Sequence, residues 1–241
     1  VPSDCIGVLE SGNVNAFFIY CSNLNYSREL EGFQFSGLFS FLINELNDYT
    51  SETHGLSSEM SHLLVSFHRP GTSMDQIVYF RMGMTDEQLL SDILQEYMPG
   101  NFLPKEEMYR GKTMSVYPLY HDRYLVAYTE KEFVVLSFQK RLVERVIDAQ
   151  LDESSVSRDA VFTNMINKKK TQSLLRLYGK STLLPFLDSD TECWSEFDFH
   201  LNSDVVYLTG DMYTPDEAAE KENIFQCLKD IPVVKEEGLF V

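Results

Sequence analysis

The stretch YLVAYTEKEFVVLSFQKRLVERVID, residues 124–148, contains the signals that decide the fold. Two β-rich runs flank the polar residues 129–132, which favours a hairpin turn. The second run leads into an apolar face at helical spacing, made of Leu142, Val143, Val146 and Ile147. The stretch therefore predicts a strand, a turn, a second strand and an amphipathic helix.

The same plan occurs on both sides of this stretch, in residues 62–98 and 194–230. The first of these flanking units ends in a helix predicted to begin at Thr85, with a capping box completed by Gln88. The second ends in a helix predicted to begin at Thr214, with proline at its first position. Three strand-hairpin-helix units are therefore predicted.

The two flanking units are similar enough to predict a duplication. IVYFRMGM (77–84) resembles VVYLTGDM (205–212), and each hairpin follows an apolar run, CIGVLE or SLLRLYG. We interpret residues 1–158 as a first repeat domain, which includes a helical insert at about residues 35–46. Residues 159–241 are interpreted as a second, incomplete copy, which suggests that the natural chain continues beyond its last residue.

Short turns between strands favour antiparallel pairing, and amphipathic helices after hairpins favour helices on one face of a sheet. The predicted fold class is α+β, with antiparallel sheets, helices packed on one face and repeated strand-hairpin-helix units. The aromatic residues that crowd positions 17–41 are expected to lie mostly in the core.

The composition excludes several functions. Lys and Arg total 20 against 37 Asp and Glu, and the net charge of -17 disfavours nucleic acid and anionic lipid as partners. No apolar run approaches the length of a membrane span. The four cysteines lack the C-x-x-C spacing of zinc and dithiol sites, and we expect free core thiols.

Ser137 and Lys140 have the S-x-x-K spacing of a serine nucleophile and its lysine base. The S-x-N and K-T-G motifs that accompany this pair in penicillin-recognising enzymes do not follow it here. Serine is also among the preferred N-cap residues, so a helix cap is the favoured interpretation. Ser137 and Lys140 therefore remain weak catalytic candidates.

The acidic residues Asp188, Asp190 and Glu192 alternate in the manner of oxygen ligands in a calcium loop. The glycine and the distant glutamate of the twelve-residue loop are missing. A solvated acidic loop is the favoured interpretation, so these three residues are weak metal candidates. No cofactor is predicted.

Two segments of the sequence carry a resemblance, LSFQKRLVERVI (136–147) and CWSEFDFHLNSDVVYLTGDMY (193–213). Together they resemble a family of envelope-associated proteins of unknown function from Bacteroidetes bacteria, and VPSDCIGVLE is similar to the start of the family's soluble part. The resemblance implies export behind an N-terminal signal or anchor, a periplasmic or surface location, and a longer natural chain. The family brings no assigned catalytic residues.

These observations favour a non-catalytic cell-envelope module that binds or scaffolds an unknown envelope protein or apolar ligand. The first alternative is a serine hydrolase or acyltransferase that uses Ser137 and Lys140. The second alternative is a carrier of a small apolar ligand between the repeats.

Overall fold

The computed structural model describes residues 1–13, 16, 62–71, 75–81, 103–119, 123–168, 173–183, 193–201 and 206–213. The strands are β1 (Gly7–Ser11), β2 (Leu63–Phe67), β3 (Gln76–Arg81), β4 (Lys105–Tyr109), β5 (Lys112–Leu119), β6 (Arg123–Glu130), β7 (Phe133–Ser137), β8 (Arg176–Lys180), β9 (Trp194–Leu201) and β10 (Val206–Tyr213). The helices are α1 (Lys140–Leu151), a 3-10 turn (Val156–Arg158) and α2 (Ala160–Asn167).

The strands form one ten-stranded sheet in the order β10-β9-β8-β1-β2-β3-β7-β6-β5-β4. Every neighbouring pair is antiparallel. Neighbours in the sheet are also consecutive in sequence, except where β3 meets β7 and where β1 meets β8. In the second of these joins, Gly7 lies opposite Gly179 and Glu10 lies opposite Arg176.

The predicted α+β fold class is wrong. In the part of the chain that the structure describes, one large antiparallel sheet dominates and only two short α-helices accompany it. Repeated hairpin-helix units are not found there either, because α2 follows a 3-10 turn rather than a hairpin. The prediction failed because local patterns identify hairpins but do not show that distant hairpins join edge to edge in one sheet.

The opening stretch itself folds as predicted. β6 and β7 form a hairpin, and the turn residue Lys131 adopts a positive φ of 56°. The helix α1 follows β7, but its N-cap residue is Gln139. Ser137 is the last residue of β7 rather than the N-cap residue of α1, but its hydroxyl does accept the predicted hydrogen bond from an N–H two positions on, that of Gln139.

Both helices lie on the same face of the sheet. The apolar side of α1 buries Leu142, Val143 and Ile147 against Tyr79 and Met114 of the sheet. The helix α2 buries Phe162 and Met165 against a second cluster that includes Val8, Tyr178 and Trp194. Asp159 caps α2 through its carboxylate, which accepts hydrogen bonds from the backbone N–H groups of Val161 and Phe162.

The opposite face of the sheet is buried as well. Side chains alternate between faces along a strand, so residues that share a register position lie in one row across the sheet. One such row is almost completely buried, and it consists of Phe197, Leu177, Leu9, Val65, Val78, Leu136 and Ala127. The sheet therefore has apolar side chains on both faces, and its central strands are continuously buried.

Several predictions lie outside the described residues. They include the helical insert at residues 35–46, the helices expected from Thr85 and Thr214, and the aromatic cluster at residues 17–41. The division of the chain at residue 158 stays a prediction. Among the cysteines, Cys5 is a buried free thiol, as expected, and Cys193 is buried as well.

Candidate functional site

Ser137 lies in the interior at the junction of β7 and α1. Its hydroxyl donates a hydrogen bond to the carbonyl oxygen of Gln76 at 2.8 Å and accepts one from the backbone N–H of Gln139 at 3.1 Å. The side chain is fully buried. In this conformation the hydroxyl connects β3 to the start of α1.

Lys140 makes ion pairs with two carboxylates. Its Nζ atom lies 2.5 Å from Oε2 of Glu107 and 3.6 Å from Oε1 of Glu144. The bond from Glu107 is the main reason why the pKa of Lys140 is raised above its ordinary value. A lysine base needs a lowered pKa, so these carboxylates oppose that role. Catalysis by this pair stays an alternative hypothesis, and substitutions of both residues test it.

The acidic residues Asp188, Asp190 and Glu192 lie outside the described residues. Within the described part of the chain, the structure contains no group of three or more His, Cys, Asp or Glu side chains that could hold a metal ion.

A chain of polar side chains surrounds His68; it is buried at Ser66, His68 and Tyr79 and partly exposed at Asp4 and Arg145, and no sequence motif marked it. His68 Nε2 lies 2.9 Å from Oγ of Ser66, which in turn lies 3.1 Å from the hydroxyl of Tyr79. On the other side of the ring, Nδ1 lies 3.5 Å from Oδ1 of Asp4. The second oxygen of Asp4 accepts a hydrogen bond from Arg145 of α1 at 2.8 Å. We call these five residues the His68 network.

The order of serine, histidine and carboxylate in this network resembles a nucleophile, a base and an orienting group. However, Ser66 and His68 are both fully buried. Burial lowers the pKa of His68 to about 4, below the value near neutrality that suits a general base. In this conformation the network is therefore suited to holding elements together rather than to attacking a substrate.

Part of this network has a sequence signal. Ser66 and His68 are two residues apart on an extended segment, so their side chains lie on the same face. The carboxylate that completes the arrangement, Asp4, is far away in sequence. Spacing alone could therefore have suggested the serine–histidine pair but not its partner.

A second polar cluster lies where β1, β8 and β9 run side by side, on the face that carries the helices. Arg176 Nε lies 2.6 Å from Oδ1 of Asp198 and 3.1 Å from Oε1 of Glu196. In the same cluster, the hydroxyl of Tyr178 donates a hydrogen bond to Glu10 at 2.9 Å. We call these five residues the Arg176 cluster.

The register of the strands creates this cluster. Arg176 lies between Glu10 on one side and Asp198 on the other, while Tyr178 lies opposite Glu196. Burial raises the pKa of Tyr178, and Glu10 raises it further, so that the hydroxyl stays a proton donor. Three carboxylates and one guanidinium therefore occupy fixed positions on the helix-bearing face of the sheet, where Arg176, Glu196 and Asp198 are largely buried.

A stacked aromatic pair continues this face towards the end of the β9–β10 hairpin. The rings of His200 and Tyr207 stack, with centroids 4.8 Å apart and planes 12° from parallel. His200 Nε2 is also 2.7 Å from Oγ1 of Thr209. Tyr207 is 47% exposed, and its neighbour Leu208, on the other face, is 42% exposed. This end of the sheet thus combines fixed charges with accessible aromatic and apolar groups.

None of the described helices has the length and apolar character needed to cross a membrane. Comparison with known proteins adds no relatives: no family model, no curated protein and no solved structure matches the chain.

Proposed function

We propose that this chain is a non-catalytic binding or scaffolding module of the cell envelope. The observation that supports this proposal is the end of the sheet where the Arg176 cluster adjoins the stacked pair of His200 and Tyr207. This area offers a partner both charged and aromatic contacts.

The physical argument is preorganisation. The side chains of Arg176, Glu196 and Asp198 are each less than a sixth exposed, and their ion pairs already fix their positions. A partner that contacts this area loses little free energy in ordering them. Tyrosine is enriched in the energetically important part of protein interfaces, and Tyr207 is stacked yet about half exposed.

The proposed location rests on the resemblance of residues 136–147 and 193–213 to envelope-associated proteins of Bacteroidetes. Fractionation of the source cells, followed by immunodetection of the chain, tests the location. Recovery in the envelope fraction is expected, and recovery with cytoplasmic markers would contradict it.

The binding function is tested by affinity capture with matched variants. The chain is immobilised, a detergent extract of the source envelope is passed over it, and components that withstand a salt wash are identified by mass spectrometry. We expect the wild-type chain to retain one component at stoichiometric level. The variant Tyr207→Ala, which removes an exposed side chain, should fail to retain it. The control is Met108→Ala at β4, a strand at the opposite end of the sheet, where the side chain is 77% exposed.

Two results would contradict the proposal. One is reproducible turnover of a peptidoglycan, lipid or glycan substrate by the purified chain. The other is retention that Tyr207→Ala leaves unchanged. A retained lipid in place of a protein would favour the alternative of a carrier for a small apolar ligand.

A further inference from the structure

We propose that the contact between His68 and the N-terminal segment, residues 1–6, is a pH-sensitive latch that releases this segment from the sheet and from α1 in acidic medium. The proposal is independent of the binding function. It starts from the position of His68, where the segment, β2 and α1 meet.

The segment is held by backbone hydrogen bonds, by the burial of Cys5 and Ile6, and by the side chain of Asp4. Backbone hydrogen bonds join Ser3 to Ser154, Ile6 to Phe67 and Val1 to Val156. The side chain of Asp4 reaches inward to His68 and outward to Arg145. Asp4 is therefore the side chain that joins the segment to both the buried histidine and the helix.

The polar atoms of the His68 ring are enclosed on both sides. Nε2 contacts Ser66, whereas the closest polar contact of Nδ1 is the Asp4 carboxylate at 3.5 Å, beyond good hydrogen-bond geometry. The buried ring therefore has one poorly satisfied nitrogen, directed at the segment. Release of the segment would give this nitrogen access to water.

Several charged or titratable groups surround the ring. In residues 1–6 they are Asp4 and Cys5, with Tyr79 on β3 and Arg145 on α1. Asp4 favours a protonated ring, whereas Arg145 opposes it. In the loop that follows His68, the Asp75 carboxylate is bonded to Arg141 and Gln139.

Desolvation is the largest of these effects, and it lowers the pKa of His68 to about 4 from an ordinary 6.5. The closed state therefore binds a proton less readily than a state in which the ring is hydrated. Between pH 6.5 and pH 4 the hydrated state takes up the proton, so acid favours opening. The latch is fully effective above pH 6.5 and loses its effect as the pH falls towards 4.

The test is amide hydrogen exchange of the full chain at several pH values, corrected for the intrinsic pH dependence of exchange. For the backbone N–H groups of Ser3, Ile6 and Val156 we expect the open population to rise roughly 20-fold from pH 7 to pH 5. Amides in the centre of the sheet, such as those of β3, are expected to stay protected.

Two variants make the test specific. His68→Gln places a neutral amide in the same position and should abolish the pH dependence at residues 1–6. His62→Gln is the matched control, because His62 is half exposed and lies 3.6 Å from Glu10. This control should keep the full pH dependence.

If His68→Gln does not fold, the wild-type chain still decides the matter through an NMR titration of its labelled histidines. A His68 pKa below 5 supports the latch, and a value near 6.5 overturns it. The latch is also overturned if the corrected exchange at residues 1–6 does not change with pH, or if all amides open together.

Discussion

Arg110 and Asp152 form a two-pronged ion pair that joins the β4–β5 turn to the end of α1. Each of the two terminal nitrogens of the guanidinium donates a hydrogen bond to one carboxylate oxygen, with an N–O distance of 2.8 Å. A carboxylate at the C-terminal end of a helix is unfavourable by itself, because the helix dipole is negative there. The arginine therefore converts an unfavourable position into a contact between two elements.

This pair leads to a prediction about salt and pH. Asp152→Asn should lower the melting temperature at low ionic strength and have less effect in high salt, because exposed charges are screened. The hydrogen bond from Arg110 lowers the pKa of Asp152 below its ordinary value of 3.8. The ion pair therefore contributes its full stability above pH 3.8 and loses it as the pH falls through the lowered pKa. A double-mutant cycle with Arg110→Gln measures the coupling, and strictly additive effects would contradict it.

The apolar side of α1 should contribute strongly to stability. Ile147 is fully buried in the cluster that joins the helix to the sheet. Ile147→Ala is expected to reduce the free energy of unfolding by about 2–5 kcal/mol through lost burial and a cavity. Urea denaturation measures the change. The control Ile147→Val should cost only about 0.5–1.5 kcal/mol, and equal costs would contradict the packing argument.

Asp159 makes two kinds of contact, a helix cap and a hydrogen bond to a tryptophan, which two substitutions can distinguish. Its Oδ1 caps α2, and its Oδ2 accepts a hydrogen bond from Nε1 of Trp194 at 3.0 Å. Asp159→Ala should destabilise the chain by about 1–2 kcal/mol through the lost cap. It should also shift the emission of Trp194, the only tryptophan. Asp159→Asn retains one oxygen and should cost less, so an equal loss of stability would argue against the cap.

The hypothesis of a Ser137–Lys140 dyad predicts that both alanine variants lose activity without losing stability. The hydrogen bonds of Ser137 predict otherwise: Ser137→Ala should cost about 1–3 kcal/mol, because it leaves a buried polar group without its partner. Lys140→Ala should leave stability nearly unchanged, since its ion pairs are exposed. A stable adduct of Ser137 with a phosphonate or β-lactam probe would favour the dyad instead.

Cys5 should resist alkylation in the native chain. Its thiol is fully buried, and burial raises its pKa to about 12, so the reactive thiolate is scarce at neutral pH. Native and urea-treated chain are exposed to iodoacetamide, and the labelled peptide is quantified by mass spectrometry. Rapid labelling of Cys5 under native conditions would contradict the burial.

The sequence was sufficient for local structure. The polar turn at residues 129–132 and the apolar spacing from Leu142 to Ile147 predicted a hairpin and a helix, and both are present. Ser137 accepts the predicted hydrogen bond from the N–H of Gln139, but α1 begins later than expected, because Ser137 ends β7 and its hydroxyl donates to the distant Gln76. A preferred cap residue is a local signal, and here a long-range contact determined its partner.

Long-range pairing could not be predicted in the same way. The pairing of β1 with β8 depends on which strand edges are free, and nothing in CIGVLE or SLLRLYG specifies a partner. The polar clusters have the same origin, since Asp4 meets His68, and Glu10 meets Tyr178, only after the sheet has formed. The spacing of residues in a sequence can reveal a site only when those residues are close together in the chain. The residues of these clusters are far apart in the chain.

The join between β1 and β8 has a consequence for how the chain folds. The hydrogen-bonded side chains of Glu10 and Tyr178 are 168 residues apart in sequence. β1 must therefore keep one edge unpaired until β8, far along the chain, is available to pair with it. High contact order slows folding, and an unpaired strand edge promotes aggregation in the meantime. Chaperones that bind exposed strands should therefore bind this chain early, before β8 pairs with β1.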